Sequence, residues 1–591
     1  MGYLPIEDHG IIGDLHTAAL VGTEGTIDWL CLPKFDSPSV FASILDDERG
    51  GHFSLRPVNF ANSHQLYLPD TNVLLTRFLS PGGVAEVLDF MPIEEGNQTR
   101  HDLVREVRVI RGTMTIEVDC RPTFDYARGE HTAEFIKGGV IFRGADLALN
   151  LASEVPLEGG PADGAFARFT LEAGESASFV LHHLEGDEGP RESLKRAECQ
   201  QLLQRTLDYW RRWVSKSTYE GRWRDMVNRS TLALKLMVYD PTGALVAAPT
   251  MGLPETIGGE RNWDYRYTRM RDAAFTMYVL TRVGFEEEAH KFMGWLQDRC
   301  QGSGGLLQPL YGIDGRAELH EEELPHLSGY RDTRPVRIGN GAYDELQLDL
   351  YGAVLDAAYL HNRYGAPLNY DVWQSLRTIL NWLSENWRQP DAGMWGARDR
   401  RHFVSSKVFS WVAFHRAVLL AYQRGLPAEE GRWIAQQDAI YEEIMERGWN
   451  PQKQSFVQHY GSDALDASLL LMPVVKFVGP TDPRWLATLE RIQKELAYDT
   501  LVDRYEPVDN GPRSRESTFS MCSFWLVECL TQAGRLEEAR LALEKMFSHA
   551  NHLGLYAEEI GPSGEALGNF PQAFTHLSLI TAAVRLDRAL G

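Results

Sequence analysis

Near residue 188 the chain changes texture, and this break constrains the fold more than any other feature. Before it, apolar runs are short and separated by turns. Val73 to Phe78 and Val84 to Phe90 flank Ser80-Pro81-Gly82-Gly83, and Leu103 to Ile110, Thr113 to Val118, Gly139 to Phe142 and Ala165 to Leu171 continue the pattern. Short strands at regular spacing with Gly and Pro between them predict a β-sandwich. From Glu188 to Trp223 the sequence is charged, with Leu194, Leu202, Leu203, Leu207, Trp210 and Trp213 spaced for one face of a linking helix. Beyond it about twelve segments carry helical periodicity. They run Trp223 to Tyr239, Arg271 to Val283, Phe285 to Cys300, Asp344 to Arg363, Tyr370 to Trp387, Ser405 to Arg424, Glu430 to Arg447, Ala464 to Val475, Arg484 to Leu496, Glu516 to Ala533, Arg535 to Ala550 and Pro571 to Leu590. A dozen helices in antiparallel pairs can close into a double ring whose loops line a pocket at one end. An α-solenoid is the alternative, but no repeat of fixed period supports it.

With 591 residues, 43% of them hydrophobic and 24% charged, the chain has material for two or more packed domains. A net charge of -23 argues against a nucleic-acid partner, because phosphate binding needs a basic footprint. The amino terminus lacks the basic-then-apolar pattern of a secretory signal, and no apolar run reaches the length of a membrane span. A cytoplasmic protein without membrane attachment is the expectation. Cys31, Cys120, Cys199, Cys300, Cys522 and Cys529 are scattered with no CxxC pair, so neither a disulfide framework nor a zinc site is expected. No histidine set forms a recognisable ligand motif, and no cofactor is implied. The oligomeric state is left open.

Chemistry concentrates in four loop-like clusters. Gly258-Gly259-Glu260-Arg261-Asn262-Trp263-Asp264-Tyr265-Arg266-Tyr267-Thr268-Arg269-Met270-Arg271-Asp272 has too little apolar content for core. Aromatic faces such as Trp263 and Tyr267 stack on sugar rings, while the forks of Arg269, Arg271 and Asp272 satisfy hydroxyls in pairs. Pro390 to Asp399 leads through His402 into a helix opened by Ser405-Ser406-Lys407, where Lys407 either hydrogen-bonds substrate or caps the loop. Arg513-Ser514-Arg515-Glu516 precedes another helix. Last comes Ala557-Glu558-Glu559, continuing to Gly568-Asn569-Phe570-Pro571-Gln572. Glu516 and Gln572 complete the expected substrate-binding set, and the expected partner is a small carbohydrate.

In order and spacing, these clusters resemble glycoside hydrolase family 15, the glucoamylase and trehalase-like inverting enzymes, in its bacterial two-domain branch. The likeness spans nearly the whole chain, from Gly10-Ile11-Ile12-Gly13-Asp14 and Asp28-Trp29-Leu30-Cys31-Leu32-Pro33, through Gln347-Leu348-Asp349, to Leu567-Gly568-Asn569-Phe570-Pro571-Gln572-Ala573-Phe574. It implies an α+β multidomain fold, a β-sandwich (residues 1–186) joined by a helical linker (187–222) to an (α/α)6 barrel (223–591). It also implies two carboxyls on opposite sides of the scissile bond, about 6.5 to 9.5 Å apart, one a general acid and one a base that activates water. By resemblance Glu558 is the base, Glu559 its support, Arg271 and Asp272 the grip on the terminal sugar, and Trp395 a pocket wall.

Two departures stand out. The family's acid directly follows the tryptophan matching Trp395, but Gly396 stands there in this chain, and Arg269 replaces an aromatic in the Trp-x-Arg-Asp pattern. Loss of general acid catalysis costs about 10² to 10⁴ in rate. Asp391, Asp399, Asp344 and Glu345 are the candidate replacements, and Asp399, three residues past Gly396, is the nearest in the same loop. Three readings follow. The first is an α-glucosidase with a displaced acid. The second is an enzyme on this scaffold whose reaction needs no acid, such as an elimination, a cyclisation or the loss of a self-sufficient leaving group. The third is a catalytically impaired sugar-binding protein.

Overall fold

The computed structural model describes residues 2–93, 96, 100–186, 188–301, 303–397, 399–506 and 517–591. The amino-terminal part is a β-sandwich whose two antiparallel sheets share one strand. Asp102–Arg121 is a single 20-residue strand where the sequence predicts two. Its first half pairs with Gly83–Phe90 and Ser176–Leu184, its second with His52–Pro57 and Ala165–Glu172. The change of sheet falls at Gly112, whose φ of 73° suits glycine, and a Cβ there would sit 2.0 Å from the Gly82 carbonyl oxygen. One strand therefore serves both layers, and Leu103, Val107, Val109, Ile116 and Val118 point into the core between them.

After the last strand, α1 (Arg196–Val214) crosses to the helical part. There follow α2 (Arg224–Leu236), α3 (Met270–Arg282), α4 (Glu286–Cys300), α5 (Asp349–Tyr364), α6 (Tyr370–Asn386), α7 (Val404–Arg424), α8 (Glu430–Arg447), α9 (Leu471–Val474), α10 (Pro483–Glu495), α11 (Ser520–Gln532), α12 (Leu536–Phe547) and α13 (Ala573–Leu590). Helices α3, α5, α7, α9, α11 and α13 pack side by side in that order, and α13 returns to α3. Behind them α4 backs α3, α8 backs α7 and α2 backs α13, while α6 lies against α5 and α7 and α12 against α11 and α13. Burial follows position. Ser520 to Thr531 of α11 are all buried, whereas outer α8 buries only Trp433, Ile440 and Ile444. A helix apolar on every side belongs inside a ring, and one with a narrow apolar stripe belongs outside it.

Two segments differ from the sequence expectation. Asp344 closes a 3-10 turn, Gly341–Asp344, and after a short loop α5 begins only at Asp349. Ala464 to Val475 yields only a 3-10 turn, Ala467–Leu470, and the single turn α9, because Pro473 cannot donate to a longer helix.

Sandwich and barrel share a polar, buried seam. The Trp29 indole donates to the Pro249 carbonyl at 2.8 Å, and Asn72 donates to the Leu232 carbonyl of α2 at 3.0 Å. Arg266 is wholly buried, paired with Asp264 at 2.7 Å and donating to the Ser37 carbonyl and the Tyr126 hydroxyl. The aromatic, Pro-rich stretch from Trp29 to Ser37 is thus a domain-interface loop.

Candidate active site

Polar residues of the barrel gather in the segments that lead into the inner helices: Arg269 before α3, Glu345 before α5, Trp395 before α7, Asp466 before α9, Arg504 and Ser517 before α11, and Glu558 before α13. The inner helices start at one rim, so their unpaired amides and the positive ends of their dipoles face a common space.

Glu558 is 1% exposed and its Oε1 accepts from the Tyr265 hydroxyl at 2.5 Å. Glu559, fully buried in a short strand paired with Thr518–Phe519, accepts from the Ser517 hydroxyl and lies 3.0 Å from Arg504. Arg504 also grips Glu255 at 2.5 Å. Two buried carboxyls, Glu255 and Glu559, therefore share Arg504. Burial, reinforced by the Glu255 charge, pushes Glu558 up to about 8, against the pull of the Tyr265 hydroxyl, Arg504 and Arg269. Burial likewise raises Glu559 well above the ordinary carboxyl range, although Arg504 opposes it. Arg269 lies over the Tyr265 ring at 5.3 Å. Burial works against its charge, but Tyr265, Asp272, Glu558 and Glu345 surround it and more than restore the cation.

Beside these groups, Arg271 donates to Asp349 at 2.7 Å, and its Nε lies 3.4 Å from Asp272. All three side chains are buried. Yet Arg271 Nε, both carboxylate oxygens of Asp272 and Asp349 Oδ1 make no hydrogen bond among the described residues. Buried charged groups are rarely left this way, since each unsatisfied one costs about 1 to 3 kcal/mol. Donor and acceptors fixed side by side match the vicinal hydroxyls of a sugar. Gln572 caps α13 through Oε1, which accepts from the Thr575 amide and hydroxyl, and its Nε2 is buried without a partner among the described residues.

Trp395 is half-buried, donates to Asp466 at 3.0 Å, and meets Phe519 and Trp525 edge-on or tilted. Trp263 is half-buried beneath the Arg337 guanidinium. The remaining expected residues fall elsewhere. Tyr267 packs with Leu310 and Leu319 in a small apolar cluster under Arg316. Lys407 is buried and donates to the Trp387 and Gln389 carbonyls, so it clamps main chain instead of binding substrate, and burial lowers it to about 8. Asp399 is 83% exposed and paired with Arg401, which removes it from the place of an acid. Asp391 is buried and its Oδ2 accepts from the Leu348 amide and the Ser406 hydroxyl. Glu516 lies outside the described residues.

Sequence reasoning did not place Glu255, Asp349 or Arg504 in the site. Each stands outside the dense clusters, and the available signal was position, within a loop that leads into an inner helix. It also found no ligand motif among the histidines, whereas the ligand atoms of Asp14, His16 and His101 lie within 4.8 Å of one another and have the spacing for a metal. Asp14 already accepts from His101 and from two main-chain amides, and Lys235 and Lys291 line the same cavity, an unfavourable setting for a cation.

Comparison with known proteins agrees with this architecture. Residues 221–584 match the model for "Glycosyl hydrolases family 15", and residues 2–157 match "Trehalase-like, N-terminal". A trehalase of Thermoplasma volcanium is 40% identical over 100% of this chain and 94% of its own length. A trehalase of Mycobacterium tuberculosis is 38% identical over 99% of this chain and 90% of its own. A bacterial glucoamylase solved with acarbose is only 12% identical but superposes with a TM-score of 0.74 over 99% of this chain and 94% of that one, which shows the shared fold of sandwich and (α/α)6 barrel. From its barrel, its sandwich and these whole-length likenesses, the chain belongs to family 15 of the glycosyl hydrolases.

Proposed function

We propose that this glycoside hydrolase cleaves α,α-trehalose, with Glu558 as the base that deprotonates the attacking water. The observation that carries the reading is the row of unsatisfied buried atoms on Arg271, Asp272 and Asp349, with Arg269 within the reach of both Asp272 and the buried Glu558. A glucose ring held there would complete their hydrogen bonds, with Trp395 as a wall. Water on the Glu558 side of C1 would attack while the bond to the leaving sugar breaks, inverting the anomeric centre. Trehalose is preferred to maltose because the relatives matching along their whole length are trehalases. Six free, buried cysteines fit a reducing cytoplasm.

The test is glucose release from trehalose and from maltose by the purified chain and by Glu558→Gln. Faster release from trehalose, reduced about 10² to 10⁴-fold in the variant, is expected. Equal or faster release from maltose would move the reading to a glucoamylase, and no release from either would overturn it.

A further inference from the structure

Gly396 lies in a loop closed by reciprocal hydrogen bonds between the main chains of Asp391 and Arg401, at 3.0 and 2.9 Å. Its φ is 66°, and it carries no side chain toward the pocket. A Cβ built there would lie 3.2 Å from Oε2 and 3.7 Å from Oε1 of Glu345. The carboxyl of Glu345 therefore stands on the ground that a side chain at position 396 would enter. It arrives from another element, the loop that follows the turn Gly341–Asp344 and leads into α5.

Glu345 is half-buried, and its Oε2 accepts from Gln347 Nε2 at 2.9 Å. Among the described residues its Oε1 accepts no hydrogen bond. The same Arg269 that acts on Glu558 acts on Glu345, which puts one cation within reach of both carboxyls. Asp344 and Asp399 are exposed, and Asp391, whose Oδ1 is buried without a hydrogen bond among the described residues, is held through Oδ2 by the Leu348 amide and the Ser406 hydroxyl.

We propose that Glu345 is the general acid of this enzyme, delivered from the loop before α5 into the space that Gly396 leaves open. The inference rests on the reading of Glu558 as base. In the step, the Glu345 proton passes to the glycosidic oxygen as its bond to C1 breaks. Water bonds to C1 from the other face and gives its proton to Glu558. Two sugars leave, Glu345 is left ionised and Glu558 protonated, and exchange with solvent resets both. Burial raises the Glu345 carboxyl above its ordinary range, although Gln347 and Arg269 oppose it, and this favours a proton held in reserve. Arg269 has a place in the same scheme, because two carboxyls sharing one pocket repel without a cation between them.

Glu345→Gln, Glu558→Gln, Gly396→Glu and the double variant Glu345→Gln with Gly396→Glu test this with trehalose and α-glucosyl fluoride, whose fluoride departs without a proton. Thermal melts establish that each variant is folded. Glu345→Gln is expected to lose about 10² to 10⁴ in kcat on trehalose and less than about tenfold on the fluoride, while Glu558→Gln loses both. Gly396→Glu alone should lower trehalose hydrolysis by crowding a second carboxyl against Glu345, and the double variant should recover part of what Glu345→Gln loses. Trehalose hydrolysis by Glu345→Gln within about threefold of the parent, an equal loss on both substrates, or a gain from Gly396→Glu alone would overturn the assignment. A parent chain inert on both substrates would instead overturn the reading of function beneath it.

Discussion

Tyr265 bears directly on the proposed base, Glu558. Its hydroxyl donates to Glu558 and opposes the upward push of burial and of Glu255. Glu558 must be ionised to accept a proton, so activity rises with pH through its titration. With Glu558 at about 8 and Glu345 also raised, the pH profile should lie above that of an unperturbed carboxyl pair. Tyr265→Phe removes a bond to the ionised form and should move the acid limb of kcat/KM to still higher pH. An unmoved limb would show that Tyr265 does not tune Glu558. At this scale Glu558, Arg271 and Asp272 stood out as candidates because each sits in a dense polar motif, and the structure buries all three. Glu345, Arg504 and Glu255 were not legible as a set, since partners far apart in sequence give them their meaning. Lys407 misled for the opposite reason: a lysine at the start of a helix looks the same whether it reaches substrate or folds back on two carbonyls.

Helix α13 illustrates the next scale. His576 is buried on it, its Nε2 accepting from the Tyr556 amide and its Nδ1 facing the Ser230 hydroxyl of α2. Burial, with the Arg229 charge, lowers it from 6.5 to about 3. The folded chain keeps the ring neutral while the unfolded chain takes up a proton below 6.5. The stability this contributes is complete above that pH and is lost as pH falls toward 3. Between pH 7.5 and 5 the loss is about 2 kcal/mol. Urea unfolding at the two pH values should show it, and His576→Gln should shrink the difference; a difference equal to the parent's would clear His576 of the role. Element existence was largely legible because inner and outer helices carry different apolar stripes. The strand Asp102–Arg121 was not, since Gly112 looks like a turn and is a bend within one strand. The segment around α9 was overcounted because its apolar run continues past the point where Pro473 stops the backbone.

For the whole molecule, the seam around Arg266 matters most. This guanidinium ties the barrel segment bearing Tyr265, Arg269 and Arg271 to the sandwich loop at Ser37 and to Tyr126. Arg266→Met strands the buried Asp264 charge, a change that costs about 3 to 5 kcal/mol. Calorimetry and kinetics should show melting temperature and kcat/KM falling together. A lowered melting temperature with full activity would show that the seam supports the fold but does not hold the site. The two-part architecture was legible in the break of texture near residue 188; the tightness of the join was not, because its bonds run from side chains to distant carbonyls.

Closure of the barrel has a consequence for synthesis. The ring is completed only when α13 docks between α11 and α3, joining the last helix of the barrel to the first of its inner set. Such distant contacts form late, after the intervening chain has been ordered. During translation the grip of Arg271 and Asp272 emerges long before the loop that carries Glu558. A nascent chain that has not yet made α13 therefore holds an incomplete barrel with an apolar inner face exposed, and α13 closes the ring when it docks. Hydrolytic competence is in this sense a signal that folding has finished.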